Sequence, residues 1–129
     1  MSCLDRLDGQ ITSLRNLEPG WLDGEGEAIH PTAIAWASDV REACARGEIK
    51  RSLRLYPTPG GGVRLEFDRG PFAVSAEFYP KSQTVDFDTT RVRGLATSDI
   101  SETIETMAQL VELIQRVGQL SVDTFWSAK

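Results

Sequence analysis

The stretch VRLEFDRGPFAVSAEFYPKSQTVDFD, Val63 to Asp88, decides the fold. Its apolar residues fall at every second position: Val63, Leu65 and Phe67, then Phe72, Val74, Ala76 and Phe78, then Val85 and Phe87. A period of two is the signature of strands with one buried face. The turn signals DRGP and YPKS separate these runs, and upstream Leu53 and Leu55 form a shorter run closed by PTPGGG. Four strands joined by short turns read as an antiparallel meander. The positions between the apolar ones hold Arg64, Glu66, Asp68, Ser75, Glu77, Tyr79, Thr84, Asp86 and Asp88, so the second face is mostly acidic.

Outside this stretch the period changes. Leu4, Leu7, Ile11 and Leu14 are spaced by three and four, which places them on one face of a helix that ends before Pro19-Gly20. The segment WLDGEGEAIHP, Trp21 to Pro31, has neither period and reads as an ordered loop anchored by Trp21 and Leu22. Pro31 suits a first helical turn, after which Ala33, Trp36, Ala37, Val40, Ala43 and Cys44 line one face as far as Gly47. Beyond Arg91 and Arg93, Asp99 stands three residues before Glu102 in capping-box spacing, and Ile100, Ile104, Met107, Val111 and Ile114 form a stripe. Leu110, Leu113 and Val117 widen that stripe, an arc broad enough for contacts on two sides and for a homodimer through this helix. Gly118 is expected to break it, leaving residues 119–129, with Phe125 and Trp126, as a C-terminal tail. The expectation is one α+β domain over residues 1–129: a four-stranded antiparallel meander with two N-terminal helices and a long C-terminal helix packed on one face.

Bulk properties narrow the function classes. A chain of 129 residues, 40% hydrophobic and 26% charged, suits one globular core. A formal net charge of -5 and a pI near 4.9 argue against an electrostatic hold on nucleic acid or an anionic membrane. The exception is local: Arg41, Arg46, Lys50, Arg51 and Arg54 outnumber Glu42 and Glu48. Cys3 and Cys44 read as reduced thiols of a cytoplasmic protein. The charged N-terminal segment does not resemble a secretory signal, and no apolar run approaches the roughly 20 residues of a membrane span.

No motif amounts to a catalytic signature, and no cofactor is expected. The Gly60-Gly61-Gly62 run precedes an alternating strand rather than a helix N-terminus and lacks the Gly-Lys-Ser/Thr ending of a phosphate loop, so it reads as a hairpin tip. Counted from Asp23 as a calcium loop, the sixth and twelfth positions hold Ala28 and Ile34 instead of glycine and glutamate. His30 is the only histidine, which leaves no histidine-rich metal site, and no G-x-S-x-G elbow supplies it with a nucleophile. A ligand-binding or hydrolytic role would have to use the loop, with Asp23, Glu25 and His30 as polar groups over Trp21.

The reading with more support in the residues is a non-enzymatic protein-binding module that blocks a partner with a basic surface. Its working surface is the acidic sheet face, Glu66, Asp68, Glu77, Tyr79, Asp86 and Asp88, or the hairpin edge at Gly60, Gly61 and Gly62. Like charges opposite one another in a sheet are destabilising, and a basic partner would relieve them. The acidic pI, small size and apolar last helix would also suit a dimeric chaperone for an exported protein, although the meander lacks the interrupting helix of such chaperones.

The pairing of WLDGEGEAIHP with YPTPGGGVRLEF resembles a group of small bacterial proteins that carry a Trp-Asp-Gly-x-Gly-like loop before a helix and a Pro-Thr-Pro-x-Gly-Gly-Val-x-Leu-Glu-aromatic hairpin after it. The matching positions are Trp21, Asp23, Gly24, Gly26, Pro57, Thr58, Pro59, Gly61, Gly62, Val63, Leu65, Glu66 and Phe67, with Leu22 as an insertion. The likeness covers about the middle half of the chain and brings no catalytic residue with it. It implies a bacterial, phage or mobile-element operon and an antitoxin, immunity or inhibitor role.

Overall fold

In the computed structural model, which describes residues 3–69, 72–91 and 101–119, the alternating stretch forms the centre of a five-stranded antiparallel sheet. The strands are β1 (Arg54–Pro57), β2 (Val63–Arg69), β3 (Phe72–Tyr79), β4 (Thr84–Arg91) and β5 (Ser101–Ile104), and they lie side by side in chain order. The register aligns Leu55, Leu65, Ala76 and Phe87 across four strands, with Val63, Phe78, Val85 and Ile104 in the next row. All eight are buried. Phe67 and Phe87 are among the largest fully buried side chains, each contributing about 1.5–3 kcal/mol by removal from water.

Helices cover that face. α1 (Cys3–Arg15) packs on α2 (Pro31–Ala45) and on β1, while α2 also meets β2, β3 and α3 (Met107–Gln119). The predicted apolar faces are the ones buried: Leu7, Ile11 and Leu14 in α1, and Ala33, Trp36, Ala37, Val40 and Ala43 in α2. Trp36 stacks on Phe78 with ring centroids 5.5 Å apart and planes 28° from parallel, joining the helix layer to the sheet. Gln10 of α1 accepts a hydrogen bond from the Leu55 amide at 2.9 Å, satisfying a donor on the edge strand.

The end of the chain departs from expectation. Residues 101–104, assigned by spacing to the C-terminal helix, are β5, so the sheet has five strands rather than four. Ile104 is buried opposite Val85, and the Thr103 hydroxyl donates to Asp86 Oδ1 at 3.0 Å. The helix begins later, at a different capping box. Thr106 Oγ1 accepts from the Gln109 amide at 3.2 Å, and Gln109 Oε1 accepts from the amides of Glu105 and Thr106 at 2.9 and 3.1 Å. Its buried residues, Leu110, Leu113, Ile114 and Val117, account for the wide apolar arc by packing within one chain. Gly118 lies inside the helix bounds, and Gln115 ties the helix back to the Glu48 carbonyl at 2.9 Å. Asp99, Ile100 and the 120–129 part of the expected tail, with Phe125 and Trp126, lie outside the described residues. Among the described residues no helix is long and apolar enough to cross a membrane.

Candidate functional site

Strand alternation puts the odd-face partners of the core residues together on the far side of the sheet. Two cross-strand rows result. One runs Tyr56, Arg64, Glu77, Asp86 and Thr103 across all five strands, and the other runs Arg54, Glu66, Ser75 and Asp88. Asp68 and Tyr79 extend the surface at opposite ends of β2 and β3. None of these residues is buried, and Tyr56 and Tyr79 are its exposed aromatics. The six residues expected on the acidic face, Glu66, Asp68, Glu77, Tyr79, Asp86 and Asp88, therefore do share one open surface.

The charges on that surface are unevenly matched. Among the described residues, five carboxylates on this face stand with two guanidinium groups, a local charge of -3. Arg64 pairs with Glu66 at 2.9 Å and Arg54 with Asp68 at 3.6 Å. Glu77 and Asp86 stand directly opposite each other in the β3–β4 register. The Tyr79 phenol is held above its ordinary pKa, first by desolvation and then by the charges of Glu77 and Asp86 and hydrogen bonding to both. Such an arrangement keeps Tyr79 protonated as a hydrogen-bond donor to the two acids.

The hairpin and the acidic loop, which carry the resemblance, turn out to be docked on each other. Pro59 accepts from the Glu27 amide and Gly61 from the His30 amide, both at 2.9 Å. Within the hairpin the Thr58 amide donates to the Gly62 carbonyl, the Gly61 amide to the Thr58 carbonyl and the Gly62 amide to Thr58 Oγ1, each at 3.0 Å. Gly61 and Gly62 are buried, and only Gly60 of the three is exposed. The close backbone approach at these glycines is thus to the chain's own loop and to β3.

The loop is itself a small hairpin. Leu22 and Glu25 exchange backbone hydrogen bonds at 2.8 and 2.9 Å around Asp23 and Gly24, whose φ angles of 50° and 92° suit a tight Asp-Gly turn. Trp21 lies over Gly26 and donates through Nε1 to the Glu27 carbonyl at 2.7 Å. His30 caps α2, its Nδ1 accepting from the Thr32 amide at 3.2 Å. Asp23, Glu25 and His30 are exposed, and neither Trp21 nor any of these three lines either cavity described in the protein. Among the described residues no group of three or more His, Cys, Asp or Glu side chains is placed to hold a metal ion.

The local basic stretch is largely matched at home. Arg41 pairs with Asp8 at 2.9 Å and Glu42 at 3.0 Å, Arg46 with Glu48 at 3.0 Å, and Arg54 reaches the sheet face. Cys3 and Cys44 are free thiols packed at the edge of the core. Sequence reasoning missed β5, and with it Thr103 as a fifth-strand member of the open face; the alternation Thr103, Ile104 beside a Thr-x-x-Gln box was the available signal. Neither family models nor curated proteins nor solved structures give a match to this chain.

Proposed function

We propose that the protein is a non-enzymatic binding module that captures a basic protein partner on its open sheet face and blocks it, in the manner of an antitoxin, immunity protein or inhibitor of a bacterial or phage operon. The observation that carries this reading is the opposition of Glu77 and Asp86 at the centre of a face that none of the described helices covers, beside Glu66, Asp68, Asp88 and two exposed tyrosines. Directly opposed carboxylates cost stability, and a partner's Arg or Lys side chains would turn that cost into affinity. Tyrosines beside the charges supply apolar contact area of the kind enriched in interfaces.

The hairpin edge contributes less on this reading, because Gly61 and Gly62 are already covered by residues 27–30 and by β3. Replacing Glu66→Lys together with Asp86→Lys is expected to leave the circular dichroism spectrum and cooperative melting intact while abolishing salt-sensitive capture of a stoichiometric basic partner from the native host. Capture retained by this variant would remove the face from the account.

A further inference from the structure

A second polar surface lies on the helix side, away from the open sheet face. A cleft of about 280 Å³ opens where α2, the β3–β4 turn and the β5–α3 loop meet. Trp36, Phe78, Val85 and Met107 form its apolar part, with the first two only 7% and 6% exposed, so a ligand would rest on the stacked pair rather than part it. The polar part includes two carboxylates, Asp39 and Glu105, and among its described lining residues there is no Lys, Arg or His.

The walls are fixed independently of any ligand. The Gln83 amide closes the β3–β4 turn on the Tyr79 carbonyl at 2.8 Å. The amides of Glu105 and Thr106 are held by Gln109, and Thr32 by the His30 cap. A preformed concave site with an aromatic floor and convergent polar groups is a common form of small-ligand site, and its modest size here suits a small group. Two carboxylates at the rim of an aromatic-floored cleft, with no cationic side chain among its described lining residues and only Arg46 acting on Asp39 from outside it, favour a cation: the acids supply charge, and the apolar floor takes a hydrocarbon stem.

We infer that this cleft binds a primary ammonium or guanidinium group carried on a short apolar stem, either as a free amine or as the side chain of a peptide. The site requires no contribution from the acidic sheet face, and it can stand or fall separately from the capture proposed above.

The test is titration of the purified chain with phenethylamine and agmatine, followed by the indole resonances of the tryptophans and by calorimetry. Phenethyl alcohol serves as the neutral control, and a capped Gly-Arg-Gly peptide presents the same head group from a polypeptide. Saturable binding of the cations, at least about tenfold weaker for the alcohol and weakened about tenfold or more in Asp39→Asn/Glu105→Gln, is the expected result. Both substituted side chains are exposed, so melting should be unchanged. Ala35→Leu, which narrows the cleft and leaves both acids in place, should abolish binding as well. The stronger ligand between agmatine and the capped peptide identifies the source. No saturable binding of any cation, equal binding of amine and alcohol, or affinity unaffected by these variants would overturn the inference.

Discussion

Gly62 sits where an added methyl group would run into the Phe78 carbonyl, and Gly61, at φ 82°, would bring one to 3.0 Å from the Ala28 carbonyl. Gly60 has open space around it. Three adjacent glycines should therefore respond differently to alanine: about 2–4 kcal/mol lost at Gly62, about 1–3 at Gly61, and within about 0.5 at Gly60, read from urea denaturation midpoints. Equal losses at the three would contradict the packing described. The turn itself was legible from residue type, since glycine and proline mark reversals whatever surrounds them. Which glycine is buried was not legible, because it depends on residues 27–30 of the upstream loop for Gly61 and on the end of β3 for Gly62. Cys44 gives a second test at this scale. Burial first, and the neighbouring Cys3 second, push its thiol from 9.0 up to about 11. A raised thiol pKa in the fold means the neutral form is favoured there, so its contribution to stability is complete below about pH 9 and is lost as pH rises toward 11. In Cys3→Ser, which keeps burial as the main cause of the rise and removes the smaller one, alkylation of Cys44 at pH 8 should still be at least about tenfold slower in the folded protein than in urea, the thiolate being the reacting form.

The elements were readable in proportion to how long their periods ran. Alternation sustained through β2, β3 and the first half of β4, and helical spacing sustained across α1 and α2, leave little room for another structure. β5 has four residues, and Ile104 fits the helical stripe of α3 as well as it fits a strand. Tertiary pairing with β4 decides between them, and the Thr106–Gln109 box then sets where the helix starts. Thr106→Ala should cost about 1 kcal/mol and speed amide exchange in the first turn of α3, leaving β1–β3 unchanged. If the stability of that turn were insensitive to Thr106, the helix would be held by its apolar face alone.

At the scale of the molecule, the chain places its apolar surface in one layer between helices and sheet, and its excess acid on the side left open. The open face followed from the sequence because strand alternation converts every second residue into a shared surface. The cleft between α2, the β3–β4 turn and the β5–α3 loop did not, since its residues come from three separated segments and have no common period. The Trp21–Pro31 loop and the glycine hairpin satisfy each other's backbone groups, which gives their residue pattern a structural purpose, and the proposed capture is assigned to the acidic face. That division of labour can be checked by comparing two variants of equal net charge. Glu66→Lys/Asp86→Lys changes the sheet face, and Glu18→Lys/Glu112→Lys changes exposed acids elsewhere. The decisive measurement is the affinity of each for the captured partner at low and moderate salt, beside the unaltered chain. A loss of about a hundredfold or more confined to the sheet-face pair, with a weaker salt dependence, is the predicted result. Equal affinity for the two variants, or a loss that follows net charge alone, would contradict a docking surface on the sheet.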